Sequence, residues 1–298
     1  MEKNTLRKEI KIDVMDKNNS LNKLIADIKQ KKELRDLSDD FVKEQIMLQF
    51  NKNPPYKKIL ETFNPKSRQY KQFIKIVRAQ LRRVYGLFRA EDVSERKIAV
   101  EKLIQNKPTL NSVKQVLTTH SSTKERLPIY TKLYKNLFAM TGKPETILDL
   151  GCGLNPFSVW FMDLPKEYYA YDLSQEEINH LNSFFNSLHK QHSSFHGKAA
   201  TLDLLNINKV KQLPAADLAF LFKVTDVLDQ GKGHKRTEEV LRAIPAKFVV
   251  VSFSTKTMSG KPMTAPRRSW VEWLCERLGY KFGIIGFENE LFYVVKKN

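Results

Sequence analysis

The chain is poor in cysteine, in acid and in long apolar runs, and each shortage closes off a class of protein. Only two cysteines occur in 298 residues, Cys152 and Cys275. They support neither a disulfide framework nor a cysteine-built zinc site. No apolar stretch approaches the roughly 20 residues of a membrane-spanning helix. The opening Met1-Glu-Lys-Asn-Thr-Leu-Arg-Lys also lacks the apolar core of a secretory signal. The expectation is a cytoplasmic protein that does not engage a membrane. His189, His192 and His196 are spaced closely enough to suggest a metal, but they fall at a polar helix end with no acid nearby in sequence, so no metal is expected.

The deficit of acid is the most informative shortage. Thirty-three Asp and Glu stand against 51 Lys and Arg, a net charge of +18 and a pI near 9.7. Such a field draws polyanions, and nucleic acid is the partner class it selects. At 298 residues, with 41% hydrophobic residues, the length favours two domains with a core for each.

Against this background one stretch stands out, Thr146-Ile-Leu-Asp-Leu-Gly-Cys-Gly-Leu-Asn-Pro156. A short apolar run breaks into two glycines and then a proline, which predicts a strand, a tight loop and a helix start. Gly151 and Gly153 allow a sharp turn and close approach of a ligand, and a helix from Pro156 would point its free N–H groups at that ligand. The third position of a dinucleotide fingerprint holds Pro156, which disfavours a pyrophosphate reader. The shorter D-x-G-x-G form suits S-adenosylmethionine. Glu167-Tyr-Tyr-Ala-Tyr-Asp172 reads as the next strand, with Asp172 placed to accept from the ribose hydroxyls. A third strand runs into Thr201-Leu-Asp-Leu204, where Asp203 supplies another acid at the place an adenine amino group would lie.

Upstream, residues 1 to about 20 lack apolar period and predict a frayed tail. Leu21, Leu24, Ile25 and Ile28 form one helical stripe, and Phe41, Val42, Ile46 and Leu48 another, with Ser38 as a cap before the second. From Lys52 to Arg89 the only acid is Glu61, while Lys and Arg number eleven. On a helix starting near Ser67, Tyr70, Phe73, Ile74, Val77, Leu81, Val84, Tyr85 and Phe88 fall on one apolar stripe. Arg68, Lys71, Lys75, Arg78, Arg82 and Arg89 form a row beside it. An unmixed cationic row on a core-anchored helix would meet a phosphate backbone, giving affinity without sequence readout.

Helical segments follow from Ser94 to Ile104 and from Leu110 to Leu117. A capped helix, led by the hydroxyls of Thr119-His-Ser-Ser-Thr123, then enters the glycine-loop strand, and Arg126 in it would lie near the methionine carboxylate of the cofactor. Downstream, strands at Ala216–Lys223 and Ala246–Phe253 alternate with helices at Thr237–Ile244 and Ser269–Leu278. Lys281-Phe-Gly-Ile-Ile-Gly-Phe and Leu291-Phe-Tyr-Val-Val close the chain as a hairpin. Alternation predicts a parallel sheet, and the hairpin adds one antiparallel strand. The expected fold is α/β, a class I Rossmann-like methyltransferase with an N-terminal all-helical domain. The expected partition is a flexible tail over 1–20, a basic RNA-docking domain over 21–110 and the catalytic domain over 111–298.

Three chemistries compete. Asn53-Pro-Pro-Tyr56 matches the motif with which amino-methyltransferases hold an exocyclic amine, but it falls among the basic N-terminal helices rather than at the end of the fourth strand, where Phe222-Lys-Val-Thr225 stands. A cytosine-C5 route needs a nucleophilic cysteine, and Cys152 belongs to the cofactor loop while Cys275 lies on a helix face. A ring nitrogen with an in-plane lone pair, such as guanine N7, needs no general base, so positioning supplies most of the rate. No catalytic acid or base is assigned. A non-catalytic RNA-binding assembly factor that keeps the fold is the rival outside enzymology.

His120-Ser-Ser-Thr-Lys-Glu-Arg-Leu127, Asp149-Leu-Gly-Cys-Gly-Leu-Asn-Pro156, Asp217-Leu-Ala-Phe-Leu-Phe-Lys223 and Val251-Ser-Phe253 with Thr255-Lys256 resemble the aminoglycoside-resistance 16S rRNA (guanine-N7) methyltransferases, the FmrO-like family. The likeness also runs through Lys71 to Tyr85. It implies an enzyme that uses S-adenosyl-L-methionine to methylate N7 of a guanine in the decoding site of the small ribosomal subunit. In that reading Arg126, Gly151, Cys152, Gly153, Asp172, Asp203 and Leu204 hold the cofactor. Lys71, Lys75, Arg78 and Arg82 would meet rRNA from the N-terminal domain, and Lys223, Ser254, Lys256 and Lys261 from the acceptor side. The loop after Phe253 departs from the family, with Ser254 where a proline is usual and a shortened glycine run at Ser259-Gly260-Lys261-Pro262.

Overall fold

The computed structural model describes residues 18–85, 93–229, 233–257 and 261–298. The chain divides into two compact units, Met1–Ala90 and Glu91–Asn298.

The first unit is helical. Helix α1 covers residues 18–29, α2 Asp39–Lys52 and α3 Arg68–Tyr85, with 3-10 turns at Lys32–Leu34 and Pro54–Leu60. Of the expected frayed tail, residues 1–17 lie outside the described residues and 18–20 are helical. Ser38 Oγ caps α2 by accepting from Phe41 N at 3.2 Å, and Ser67 Oγ does the same for Tyr70 N at the start of α3. The apolar stripes of the three helices meet in one core of Leu24, Ile28, Phe41, Ile46, Phe73 and Val77, where Phe50 and Phe73 stack at 4.9 Å. Leu48, expected in the α2 stripe, is instead exposed. Its helical phase belongs to the solvent side, and the buried face is completed by Gln45 and Gln49, whose amides bond to Gln80. The side chains of Val84 and Tyr85, and all of Phe88 and Arg89, lie outside the described residues.

The second unit begins with helices α4 (Val93–Gln105), α5 (Leu110–Thr118), α6 (Ser121–Arg126) and α7 (Tyr130–Thr141). The boundary at Ala90 rather than near residue 110 follows from α4. Its Val100 and Leu103 sit in the core of the sheet domain, and Arg96 forms a buried ion pair with Glu177 at 2.6 Å. The single helix expected from Thr119 to Phe138 is two helices, broken where Pro128 cannot donate to the backbone ladder. His120, not a hydroxyl, occupies the N-cap of α6 and makes no side-chain cap.

The remaining elements alternate: β1 (Thr146–Leu150), β2 (Glu167–Asp172), α8 (Gln175–Gln191), β3 (His196–Thr201), α9 (Ile207–Lys211), β4 (Ala216–Phe222), α10 (Thr225–Asp229), α11 (Lys235–Ala243), β5 (Ala246–Ser254), α12 (Ser269–Leu278), β6 (Lys281–Gly286) and β7 (Glu290–Lys296). The sheet order is β3-β2-β1-β4-β5-β7-β6. Neighbours from β3 to β5 pair in parallel, and β7 runs antiparallel to both β5 and β6. Both faces are covered: Leu218, Phe220 and Phe222 pack with α4, α5, α7 and α8, while Ala219 and Leu221 pack with α10, α11 and α12. That doubly buried sheet is why its strands read as continuous apolar runs. No helix among the described residues is long and apolar enough to cross a membrane.

Candidate active site

The loop after β1 is held by the end of β2. Gly151 N and Cys152 N both donate to Tyr171 O, at 2.8 and 3.0 Å. Gly153 N donates to Asp172 Oδ2 at 2.9 Å. The other oxygen of Asp172 accepts from Leu173 N at 2.7 Å and Ser174 N at 3.2 Å, so the acid that ends β2 shapes the crest of the loop. Gly151 and Gly153 have φ of 67° and 47°, the left-handed region that glycine enters without strain. A Cβ on Gly151 would lie 2.7 Å from Val224 Cγ2, whereas one on Gly153 would meet nothing within 4 Å. The loop is closed on its Val224 side and open at Gly153.

The segment after the loop is not the expected α-helix. Asn155–Phe161 is a seven-residue 3-10 turn, too short to aim a helix dipole. Asn155 takes over the anchoring: its Nδ2 donates to Asp149 Oδ2 at 2.9 Å, and its Oδ1 accepts from Tyr130 Oη at 3.0 Å. Tyr168 Oη also donates to Asp149 Oδ2, at 2.7 Å. Burial pushes the Asp149 carboxyl up to about 7, against these hydrogen bonds and the Arg126 charge. The buried Cys152 thiol is pushed well above its ordinary value by the same loss of solvent, which keeps it protonated and unfit as a nucleophile. Beyond β3, Asp203 Oδ1 accepts from Leu205 N at 2.9 Å, and Leu204 is buried.

Arg126 is only 2% exposed. Its Nε is shared by both oxygens of Glu290 at 2.8 and 2.9 Å, its Nη1 lies 3.4 Å from Asn155 Oδ1, and its guanidinium stands 4.8 Å over the Phe222 ring. The buried Glu290 also accepts from Ser252 Oγ at 2.5 Å, and Lys223 Nζ approaches it to 3.6 Å. Glu290 therefore ties α6, the end of β4 and β5 to the first residue of β7. Lys223 has φ of 56°, a strained backbone for a residue with a Cβ, and its Nζ bonds to Glu125 Oε2 at 2.6 Å. His120, near Arg96, Arg126 and Lys223, is held neutral, with burial first and these three cations next pushing it down to about 3.

The acceptor-side positions divide. Ser254 Oγ donates to Lys256 O at 2.7 Å, and Lys256 Nζ pairs with Glu288 at 2.8 Å. Lys261 O accepts from Thr257 N at 2.8 Å, so the loop closes on itself, with residues 258–260 outside the described residues. In the helical unit the expected unmixed cationic row also divides. Arg78 donates to the backbone carbonyls of Asp27 and Ile28 at the end of α1, and Arg82 pairs with Glu33 at 2.6 Å. Lys71 and Lys75 are exposed and make no side-chain bond among the described residues. The partners of Arg78 and Arg82 come from about fifty positions upstream, beyond the reach of a helical-row argument.

Sequence reading missed Glu290, Asn155 and Tyr130. The one available signal for Glu290 was a lone acid opening an otherwise apolar strand. Asn53-Pro-Pro-Tyr56 lies at the start of the Pro54–Leu60 turn in the first unit, while the end of β4, where an amine-methylating motif belongs, is Lys223. Among the described residues no three His, Cys, Asp or Glu side chains converge as a metal site requires.

The chain is similar to several known proteins. A 16S rRNA (guanine(1405)-N(7))-methyltransferase of Proteus mirabilis is 26% identical over 246 residues, 76% of this chain and 85% of that protein. One of Frankia casuarinae is 28% identical over 192 residues, 62% of this chain. The match spans 64% of the Frankia protein's length, a little under two thirds. The crystal structure of the 16S rRNA methyltransferase RmtF in complex with S-adenosyl-L-homocysteine shares the fold, with a TM-score of 0.69 at 23% identity over 93% of this chain and 98% of that one. The profile of the family described as "Ribosomal RNA methyltransferase (FmrO)" matches residues 68–294, more than three quarters of the sequence, and the chain belongs to that family.

Proposed function

We propose that the protein transfers a methyl group from S-adenosyl-L-methionine to N7 of a guanine in the 16S rRNA of the small ribosomal subunit. The observation that carries this reading is the loop at the carboxyl end of β1, open at Gly153 and backed by Asp172, on a chain of the rRNA methyltransferase family. The donor set suits the cofactor. Asp172 would accept from the ribose hydroxyls, the Gly151–Gly153 backbone would border the methionine part, and Asp203 with Leu204 would flank the adenine. Glu290 holds the Nε edge of Arg126, so a methionine carboxylate would meet the guanidinium on its Nη side.

When bound, the cofactor supplies an activated methyl group on a sulfonium. The remaining work is orientation and exclusion of water. Guanine N7 has an in-plane lone pair and releases no proton. Asn53-Pro-Pro-Tyr56 stands at a 3-10 turn of the helical unit, and the end of β4 carries Phe222-Lys223 instead, which favours a ring nitrogen over the amine chemistry of that motif. Lys223 and Lys261 would face the acceptor strand.

The test incubates the full-length protein with labelled S-adenosyl-L-methionine and either intact small subunits or naked 16S rRNA, and maps the product by mass spectrometry. N7-methylguanine, formed on assembled subunits, is the expected outcome. Label on an adenine amine would overturn the proposal.

A further inference from the structure

A surface cleft of about 500 Å³ opens in the helical unit, lined by Asn53, Pro55, Tyr56, Arg68, Gln69 and Gln72. It is built by the Asn53-Pro-Pro-Tyr56 segment, which the proposed methyl transfer does not use. Pro54 and Pro55 force the chain out of α2 into the 3-10 turn. Gln69 Nε2 then donates to Pro55 O at 3.2 Å, tying that turn to the first turn of α3. Tyr56 is half-buried, its ring 5.1 Å from Phe73 at 52°, so its orientation is set by the core.

Gln69 apart, the polar side chains of the lining are turned to solvent. The side chains of Asn53, Gln72 and Arg68 are exposed and have no hydrogen-bond or ion-pair partner among the described residues. Amides carry both a donor and an acceptor, the combination that reads the edge of a nucleobase. An aromatic ring held at fixed tilt offers a stacking surface, and the guanidinium suits a phosphate. Lys52, Lys57, Lys58 and Lys71 surround the cleft in sequence, with Glu61 the only acid from Lys52 to Arg89. The volume lies within the range of clefts that hold a small organic group.

The geometry points to a binding site for one unpaired nucleotide of an RNA strand, its base against Tyr56 and its edge read by the Asn53 and Gln72 amides, with Arg68 on a phosphate. A base in a duplex has its edge paired and its faces stacked, so the cleft selects a bulged or looped nucleotide. This deepens the RNA reading above and rests on it only in that the chain handles RNA, since no methyl transfer enters the assignment.

The test titrates the full-length protein into a short fluorescent single-stranded RNA and into the blunt duplex of the same strand. Tyr56→Ala is expected to weaken single-strand binding about tenfold, the scale of one base stacked on a ring, and to leave duplex binding unchanged. Tyr56→Phe, which keeps the ring, should bind as the parent does. Asn53→Ala and Gln72→Ala, at exposed positions, should change the preference among homopolymer strands without changing S-adenosyl-L-homocysteine binding. Arg68→Gln should lower the slope of log affinity against log salt on single strands by about 0.7. Single-strand binding unaltered by Tyr56→Ala and by the two amide variants would overturn the site, as would equal weakening on strand and duplex. Nucleoside monophosphates that compete as strongly as the strand would also overturn it, in favour of a free nucleotide. Because the readout is binding, a failed methylation assay and a failed cleft are separate results.

Discussion

Arg126 and Lys75 carry the same unit charge at opposite extremes of solvation, one in each compact unit. Arg126 is enclosed by Glu290, Asn155 and the Phe222 ring, while Lys75 stands exposed on α3. A buried charge must be matched by particular atoms, and removing one partner leaves the other uncompensated in a low-dielectric interior. An exposed charge works through the field it adds to, and salt screens it. The sheet unit should therefore fail abruptly on single substitutions. The basic face of the helical unit should weaken in small, additive steps.

The largest effect that could break this contrast is on Glu290. Glu290→Ala leaves Arg126 buried without its carboxylate and should destabilise the fold by about 3–5 kcal/mol, read as a lower denaturant midpoint, with Glu290→Gln intermediate because it keeps an acceptor for Ser252. A midpoint equal to the parent's would erase the distinction between the two cations. Asp172→Ala comes next. Loss of a carboxylate that accepts charge-assisted hydrogen bonds costs about 1.5–3 kcal/mol, so calorimetry should show S-adenosyl-L-homocysteine affinity falling roughly tenfold or more. Undiminished binding would remove Asp172 from the cofactor site.

A smaller effect tests burial through pH. The folded chain keeps the Asp149 proton up to about 7, whereas the unfolded chain releases it near the ordinary value of 3.8. The stability this group contributes is therefore complete below pH 3.8 and lost as pH rises through about 7. Asp149→Asn should flatten the melting temperature across that window, and an unchanged slope would assign the dependence to other groups. The smallest effect sharpens the exposed side of the contrast. Lys71→Gln with Lys75→Gln should lower the salt slope of rRNA binding by about 1.4–1.8, while Arg82→Gln, whose cation already faces Glu33, should lower it by less. Equal changes would mean that the ion pair does not distinguish the members of the row.

Much of the architecture was legible because its signals are local. The β2 range of Glu167–Asp172 and the α12 range of Ser269–Leu278 coincide with expectation, as does the closing hairpin with its single antiparallel strand β7. Side-chain period and turn residues are written within a few positions of where they act. The same locality explains the misses. Pro128 splits α6 from α7, and the loop after Gly153 leads into a 3-10 turn held by Asn155 rather than into a helix held by its own ladder.

By itself the sequence determined that a glycine loop would follow β1, that Asp172 would end β2 beside it, and that a cation-rich apolar helix would begin near Ser67. Spacing along one strand or one helix is enough to specify each of these. Tertiary structure alone decided which cations are free and which are committed. Glu290 reaches Arg126 across 164 positions, and the backbone carbonyls of Asp27 and Ile28 and the carboxylate of Glu33 reach Arg78 and Arg82 across about fifty. No periodicity encodes such pairs, because they form only when packing of the apolar faces brings distant backbones together; for the buried Arg126, desolvation then makes a partner obligatory, whereas the exposed Arg82 and Glu33 are simply left within reach.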